Sequence, residues 1–432
     1  MAHRNRVIYQ SEALFVSPLS TGYHATGQPV GWSLAPGGAP YAASAPGADP
    51  APTTENFAIQ QSRSLVKQLK RVQSANYSFT VNRQDVNQFG QLSRIDSLVV
   101  DTPTVTMDFN YLITDGENER LLNFVTDGTT NAFSGQIAPE ISNAGQNFFI
   151  LTVPEGKDAF LGDQTNSGSN TVISVGNGYL TDYSVDASVG AFPTASCTVE
   201  GFNIQSTATG EANLPIPAID PSDGSRDCDR FFTLPAAQTG SGVSALRPGD
   251  IVLNLGNAGL LSKQTVYDGT STTPSAGSAH VQSVSISVPM SRTVLQRLGN
   301  TFGFSREIDF PVSATLTVNA LVSELKQGNM LDLICGLQEA DLTVTLRNPE
   351  CIECTRGSSP LGISYVMKGA TLESESYSSA IGDNKSVDLT WSTQIGGPED
   401  VKKGLFISGS SVRFSPVFQK EDGTVKLGLI RP

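Results

Sequence analysis

The sequence predicts an all-β protein, with one short helix per repeat, built from two tandem copies of one β-sandwich or barrel domain. Three observations favour this fold class. A long segment recurs at a fixed spacing, and apolar and polar residues alternate inside it. In addition, only 16% of the residues are charged, in a chain with 41 glycines and 24 prolines. Alternation with period two indicates strands, and frequent glycine and proline indicate turns.

The recurring segment lies 209 residues after its first occurrence (281 − 72), where the tripeptide that opens at Val72 returns at Val281. We call this offset the first spacing. Six further identities keep it and pair Ser78, Arg83, Gly90, Thr106, Asn110 and Leu112 with Ser287, Arg292, Gly299, Thr315, Asn319 and Leu321. A repeat of this length is a whole domain rather than a solenoid unit. One chain would therefore present two equivalent surfaces.

Composition divides the remaining chain. Domains of roughly 100–200 residues would give two to four in this length, and the repeat selects two. Residues 22–52 and 215–241 are dense in proline, glycine and other small residues, which do not predict regular elements. We therefore expect an N-terminal arm over 1–59, a first domain over 60–214, a linker over 215–244 and a second domain over 245–432. The arm is either a disordered tail or an extension that orders against a neighbouring subunit.

In the first copy the patterns predict the following elements in order. Strands over 72–81 and 99–113 flank a polar loop, and the second of them alternates Val105, Met107, Phe109 and Tyr111 with polar residues. A short helix starts at Asp115, ends at Gly128 and directs Leu121, Leu122, Phe124 and Val125 to the core. A strand over 148–153, a turn at Gly176-Asn177-Gly178 and a closing hairpin of 179–189 and 194–204, turned at Gly190, complete the copy.

The second copy repeats this order. Strands over 282–290 and 312–322 flank the loop 291–310, and a helix follows over 324–335. A strand over 342–346 then precedes a closing hairpin of 371–379 and 386–395, turned at Gly382. The spacing of the two turn glycines is 192 (382 − 190), so the second copy has lost loop residues. We call this shorter offset the second spacing.

Charge and hydropathy exclude several classes of protein. A net charge of −13 argues against a binder that neutralises phosphates. The sequence has no run of about 18 apolar residues, so we expect no membrane span, and polar residues interrupt 7–16, so we expect no cleaved signal peptide. Five cysteines, an odd number, favour folding in a reducing cytoplasm.

Residues that carry chemistry are scattered. The candidates for metal ligands are His3, His24, His280, Cys335, Cys351, Cys354, Asp227, Asp229 and Asp341. The three histidines lie far apart, the single CxxC lacks two further ligands, and the acids lack the calcium-loop pattern. We found no nucleophile elbow and no phosphate-binding glycine motif. The sequence therefore predicts no cofactor, no metal and no enzymatic activity.

The element order and the duplication, over roughly 60–205 and 270–397, resemble the tail-tube fold of long-tailed bacteriophages, which is shared with contractile injection systems. Proteins of that family usually form hexameric rings whose inner sheets join into one barrel, and the rings stack into a tube for the genome. Where one chain carries the fold twice, three chains make a pseudo-hexameric ring. The resemblance implies a structural virion protein of the tail, assembled in the host cytoplasm.

The resemblance also implies partners and surfaces. The partners would be further copies of the chain, other tail proteins (terminator, baseplate or tip, or a sheath) and double-stranded DNA in transient passage without tight binding. The candidates for a lumen-facing surface are Thr104, Thr106, Asp108, Asn110, Ser313, Thr315, Thr317 and Asn319. The closing hairpins offer an alternative set in Asp182, Ser184, Asp186, Glu200, Ser374, Ser376, Asp388 and Thr390. An ordinary solvated sheet face would alternate in the same way.

Arginines on the long loops are candidates for contacts with the next ring or with a neighbouring subunit. They are Arg83, Arg94, Arg292, Arg297 and Arg306; solvated loop arginines are the alternative. Two other functions remain open. One is a single-ring tail protein of the baseplate or neck; the other is a β-sandwich adhesin or carbohydrate-binding module. The latter would need clustered exposed aromatic residues, whereas the chain has only Trp32 and Trp391 as tryptophans.

Overall fold

The computed structural model describes residues 12–18, 23–24, 66–137, 145–153, 159, 170–208, 214–220, 230–232, 234–235, 237, 245–246, 251–254, 260, 280–322, 329–330, 339–347, 361–382, 384–409, 417–421 and 424–428. The strands of the N-terminal part are β1 (Glu12–Pro18), β2 (Tyr23–His24), β3 (Lys67–Gln68), β4 (Val72–Thr80), β5 (Arg83–Val86), β6 (Asp96–Val99), β7 (Thr104–Leu112), β8 (Gln146–Thr152), β9 (Thr171–Ser188), β10 (Thr194–Gly201), β11 (Asn203–Thr207), β12 (Leu214–Pro215) and β13 (Arg230–Phe232). Those of the C-terminal part are β14 (Ile251–Asn254), β15 (His280–Pro289), β16 (Arg292–Leu295), β17 (Ser305–Ile308), β18 (Ser313–Leu321), β19 (Ala340–Arg347), β20 (Leu361–Ser378), β21 (Ser386–Gln394), β22 (Gly404–Gly409), β23 (Val417–Glu421) and β24 (Thr424–Gly428). The helices are α1 (Glu117–Leu121) and α2 (Ser134–Ile137).

An antiparallel run of eight strands crosses the molecule in the order β4-β7-β10-β9-β15-β18-β21-β20. The first four strands come from one half of the chain and the last four from the other. They meet where β9 pairs with β15 over seven residue pairs, from Ser188↔Ser283 to Asp182↔Pro289. We call this pairing the internal junction. The prediction of an all-β fold is confirmed.

The two halves share one pattern of pairings. Strand β8 pairs with β9 and with β1, as β19 pairs with β20 and with β14. Strand β11 adds to β9, as β22 adds to β20. The register follows the two sequence spacings: Leu112 pairs with Thr194, and their respective counterparts Leu321 and Ser386 pair with each other. These matches favour the interpretation of a duplicated domain.

Alternation along the strands builds the core. In β7 and β18 every second side chain is buried, and in β21 the buried set includes Trp391, which is fully enclosed. One continuous hydrophobic cluster contains core residues of both halves. The six inner strands of the run thus have one apolar face against the core and one polar face, as half-buried antiparallel strands do.

Three predicted elements differ in the structure. The predicted loop 291–310 contains a short hairpin, β16–β17, and the predicted loop 82–97 lies largely within another, β5–β6. Helix α1 ends at Leu121, well before Gly128, and Asn123 then adopts a left-handed conformation at φ 67°. The four residues predicted to face the core still pack there, mostly beyond the helix.

The expected turn at Gly176-Asn177-Gly178 is wrong, because these residues lie inside β9. Close packing explains the glycines: a Cβ on Gly176 would lie 2.3 Å from the Pro217 carbonyl oxygen, and one on Gly178 would lie 2.8 Å from Val199. Glycine inside a strand often marks such a close approach of another backbone.

Parts of the predicted arm and linker are ordered within this chain. From the arm, β1 pairs with β8 over its full length and Phe15 is completely buried. From the linker, β12 and β13 pair with each other, β13 also pairs with β2, and Ile216 and Leu234 are buried. The predicted helix 324–335, apart from 329–330, and Cys351 and Cys354 lie outside the described residues.

A buried carboxyl lies between the halves. Glu119 accepts hydrogen bonds from the hydroxyls of Tyr111 at 3.0 Å and Tyr183 at 3.3 Å, and the Tyr183 hydroxyl lies 3.1 Å from that of Tyr365, in the second half. Burial raises the pKa of Glu119 to about 7, although the tyrosine hydrogen bonds oppose the shift. The protonated carboxyl is therefore favoured in the folded chain.

We expect Glu119→Gln to flatten the pH dependence of stability. The folded chain holds a proton on Glu119 from about pH 4.5 to about pH 7 that the unfolded chain has lost. The free energy of unfolding of the parent chain should therefore fall by roughly 3 kcal/mol over this range and level off above it. Urea unfolding at about pH 5 and about pH 8 measures both chains. An equal fall in the Glu119→Gln chain would contradict the assignment.

Candidate functional site

The eight-stranded run ends in two edges on which no described strand pairs. On one side, β4 pairs only with β7. On the other, residues 371–378 of β20 pair only with β21. By the repeat, β4 corresponds to β15, and this part of β20 corresponds to the part of β9 that pairs with β15. The two outer edges therefore correspond, by the repeat, to the two strands that pair at the internal junction. They lie at opposite ends of one sheet.

Side chains of the β4 edge are exposed where their counterparts are buried. Tyr77 and Phe79 of β4 are 41% and 64% exposed, whereas Ile286 and Val288, their counterparts at the first spacing, are 1% and 0% exposed. All four project from the core-facing side of the sheet, since their registers on β7 and β18 correspond. The difference arises because β15 has a neighbour across the junction and β4 has none among the described strands.

The β20 edge is more polar. Tyr183, Val185 and Ala187 of β9 are buried at the junction, whereas their counterparts at the second spacing are Glu375 and Tyr377, which are half-buried, and Ser379, which is exposed. A cavity of about 190 Å³ lies between the start of β4, at Gln73 and Ser74, and strands β1 and β3. Exposed apolar strand edges are templates for pairing with another chain.

The second hairpin, β16–β17, adds polar contacts across the junction. Arg306 forms an ion pair with Glu200 and lies 4.8 Å from the centre of the Phe202 ring. Arg292 donates from Nε to the Leu180 carbonyl at 3.0 Å and from Nη2 to Gln136 at 3.1 Å. Burial lowers the pKa of Arg292 to about 10, so the guanidinium stays charged at neutral pH.

Contacts between the two hairpin regions complete the junction. Gln296 donates to Asp101 at 2.6 Å and to Thr102 at 2.9 Å, and the Thr102 hydroxyl donates to the Thr301 carbonyl at 3.1 Å. Residues 101–102 follow the first hairpin, so the second hairpin contacts the segment directly after the first one. The first hairpin, β5–β6, makes no such contact beyond its own surroundings in the described structure.

The loop arginines fall into two groups. Arg292 and Arg306 hold the internal junction, as described above. Arg94 pairs with Asp85 of its own hairpin at 3.1 Å, and Arg83 and Arg297 are exposed. Contacts of these arginines with another subunit or ring stay a prediction. Arg83 is the counterpart of Arg292, and its corresponding acceptor in a neighbouring copy would be the carbonyl of Leu372.

The eight candidates for a lumen-facing surface all lie on the polar face of the sheet. The registers put the closing hairpins on the same face: Thr106 pairs with Glu200, Asp108 with Thr198, and Asn319 with Asp388. The alternatives left open by the sequence are therefore two parts of one surface. Sequence reasoning missed the contribution of β4 and β15, whose serines continue this face; their alternation with apolar residues was the available signal.

This polar face is acidic and tied together by side-chain hydrogen bonds. Thr198 donates to Asp108 at 2.7 Å, and Asn319 donates to Asp388 at 2.6 Å. The eight strands contain seven acids, namely Asp108, Asp182, Asp186, Glu200, Glu373, Glu375 and Asp388. Their one Lys or Arg is Lys368, which lies in the part of β20 that pairs with β22 and packs over the Phe406 ring.

Other functional groups contribute little to a site. Among the described residues, no group of three or more His, Cys, Asp or Glu could hold a metal ion. Cys197 is buried, and Trp391 is buried as well, so it offers no aromatic binding surface. Asp341 accepts a hydrogen bond from the backbone of Gly369. In the part of the chain that the structure describes, no helix has the length and hydropathy to cross a membrane.

Comparison with protein-family models and with curated proteins gives no match for this chain.

We expect matched substitutions to distinguish the covered strand from the open one. Ile286→Ala should lower the free energy of unfolding of the single chain by about 2–5 kcal/mol, because the side chain is enclosed. Tyr77→Ala, at the corresponding position, should cost about 1 kcal/mol or less in dilute solution, where the edge is uncovered. Urea unfolding of both variants provides the comparison. Equal losses would show that the β4 edge is already covered within one chain.

Proposed function

We propose that this chain is a structural virion protein of a phage tail, in which three copies form a pseudo-hexameric ring and the rings stack into the tube for genome ejection. The observation that carries the proposal is the internal junction. It already joins the two halves in the way that one copy would join the next, and no described strand pairs with the two outer edges that correspond to it.

The junction predicts the register between copies. When each residue of β9 and β15 at the junction is replaced by its counterpart in the other half, the junction gives seven pairs between residues 374–380 of one copy and residues 74–80 of the next. Five of these pairs join β20 to β4, and the other two involve the residues directly after β20. They are Ser74↔Ala380, Ala75↔Ser379, Asn76↔Ser378, Tyr77↔Tyr377, Ser78↔Ser376, Phe79↔Glu375 and Thr80↔Ser374. In this arrangement Tyr77 and Phe79 become covered, as Ile286 and Val288 are in the chain itself.

Repeating one head-to-tail contact closes a ring when the rotation per copy allows it. Within the chain the same contact relates the first half to the second, so each copy contributes two equivalent steps. Three copies of the eight-stranded run would place 24 strands in one barrel and leave no open edge. A barrel of this strand number is wide enough for a channel rather than a filled core.

The polar face supports passage of DNA rather than binding. Six of the seven acids in the eight strands lie on this face, and Glu375 lies on the core-facing side, opposite the buried Leu389. With this charge and a single lysine in the strands, a barrel lined by the polar face would repel phosphates. Each phosphate contact by Lys or Arg would add affinity and so slow the sliding of DNA. The proposal therefore assigns the polar face to the lumen, with the candidate residues of β7 and β18 within it.

A disulfide test addresses the register directly. At the junction the amide of Val189 donates to the Gln282 carbonyl at 2.9 Å, so Val189 and Gln282 form a hydrogen-bonded pair. Hydrogen-bonded and non-hydrogen-bonded pairs alternate along an antiparallel ladder. Ser184↔Ser287 lies five pairs further along and is therefore a non-hydrogen-bonded pair. Its counterpart between copies is Ser78↔Ser376, for which the Cα atoms should lie roughly 4.5 Å apart. We expect Ser78→Cys/Ser376→Cys to form disulfide-linked trimers on mild oxidation, seen by non-reducing electrophoresis.

The matched control is Ser78→Cys/Ser378→Cys, whose cysteines would be diagonal neighbours roughly 7–8 Å apart and poorly placed for a disulfide. Single-cysteine variants report the background from the five native cysteines. Cross-linking of the control pair instead of the first pair would overturn the register. Cross-links in neither pair, from a chain that remains monomeric, would overturn the ring.

Charge reversal on the polar face tests the channel. Asp186 is exposed on that face, and Glu399 is exposed on a loop after β21. Asp186→Lys and Glu399→Lys change the net charge equally. We expect only Asp186→Lys assemblies to retain double-stranded DNA at low salt, in gel shift, with retention lost as salt rises. Equal retention by both variants would contradict a lumen-facing position for Asp186.

A further inference from the structure

The duplication separates two kinds of exposed apolar residue. Residues exposed at an outer edge but buried in the other half mark the contact between copies within a ring. Residues exposed at corresponding positions of both halves need another explanation, because the internal junction leaves them uncovered. Apolar residues that are exposed at corresponding positions of both halves form two sets, one at each end of the strands.

The first group lies at the tips of the two hairpins. We call Val86, Phe89 and Ile95 of β5–β6, and Leu295, Leu298 and Phe304 of β16–β17, the tip patches. Phe89 and Leu298 are fully exposed at 105% and 104%, and the other four residues are between 37% and 50% exposed. The same backbone hydrogen bond frames each tip, from Ile95 to Val86 at 2.8 Å and from Phe304 to Leu295 at 2.9 Å.

Contacts within the sheet do not cover the tip patches. The second hairpin already packs on the first half through Arg292, Arg306 and Gln296. Its tip nevertheless remains exposed in the presence of those contacts. The first hairpin, once it made the corresponding contacts with a neighbouring copy, would keep its tip exposed in the same way.

The second group lies at the opposite end of the strands. The turns of the closing hairpins expose Val189 at 67% and its counterpart at the second spacing, Ile381, at 108%, and Phe192 adds to the first turn at 56%. We call these residues the turn patches. Strand β7 starts at Thr104, after the first hairpin, and its last residue pairs with Thr194, directly after the first turn. The tip and turn patches therefore lie at opposite ends of the sheet.

We propose that the tip patches of one copy pack on the turn patches of a second copy, as the axial contact between rings. This inference rests on the proposed ring. Each chain has two tips and two turns, so the two ends match in number. All contacts within a ring are head-to-tail in the same direction, so the top and bottom faces of the ring differ. A contact between the top of one ring and the bottom of the next can therefore repeat without limit and build a tube. Exposed apolar groups of this kind mark protein contacts.

The test uses the full chain with one end altered at a time. Phe89→Asp/Leu298→Asp places a charge on each tip, and Val189→Asp/Ile381→Asp places one on each turn. We expect either variant to form trimeric rings but to need a concentration at least about tenfold higher than the parent chain for tubes. Analytical ultracentrifugation and negative-stain electron microscopy measure this. The Ser78→Cys/Ser376→Cys cross-link, added to each variant, reports that rings have formed.

Mixing the two variants gives a sharper result. The tip variant keeps intact turns and the turn variant keeps intact tips, so a mixture should stop at pairs of rings. The control is Val100→Asp: Val100 is 68% exposed, and its counterpart is naturally Asp309, so tubes should form as in the parent chain.

Normal tubes from either variant would overturn the axial contact, as would cross-linked parent rings that never stack; in both cases the ring proposal stands. Loss of the cross-linked trimer in both variants would show that the patches act in ring closure, which also overturns the axial assignment. Absence of the cross-linked trimer in the parent chain would overturn the proposed function itself.

Discussion

The pairing of β9 with β15 is the interaction on which the rest of the structure depends. It turns two four-stranded sheets into one sheet with a common polar face and a common core. It also occupies those two edges, whereas no described strand pairs with the corresponding outer edges, β4 and the end of β20. The Tyr183–Tyr365 contact and the ion pair of Arg306 with Glu200 reinforce the same junction.

The sequence repeat allows each residue of one half to be compared with a counterpart in the other half, and so shows what assembly would change. Val288 and Phe79 occupy corresponding positions, and only the one beside a neighbouring strand is buried. Phe89 and Leu298 also correspond, and both are exposed. The comparison of Val288 with Phe79 points to association of copies edge to edge along the sheet. The comparison of Phe89 with Leu298 points to association at the ends of the strands. A single-copy chain would show both kinds of residue as exposed without distinguishing them.

The sequence was sufficient for the features that depend on periodicity. Alternation in 104–112 and 313–321 predicted strands and their polar faces, and the two spacings matched equivalent turns at Gly190 and Gly382. It failed where tertiary contacts decide local structure. Gly176 lies in a strand, where the Pro217 carbonyl approaches too closely for a Cβ, and α1 stops at Leu121 although apolar residues continue. The shared face of both hairpins depends on register between distant strands, which one sequence does not reveal.

The central claim is that the open edges pair with further copies of this chain. The most direct measurement is the mass and shape of the purified chain by mass photometry with negative-stain electron microscopy. Our account predicts rings with a central pore, and stacks of them, whose masses are multiples of three chains of 45.6 kDa each. A monodisperse particle of 45.6 kDa without a pore, at concentrations up to the solubility limit, would contradict it.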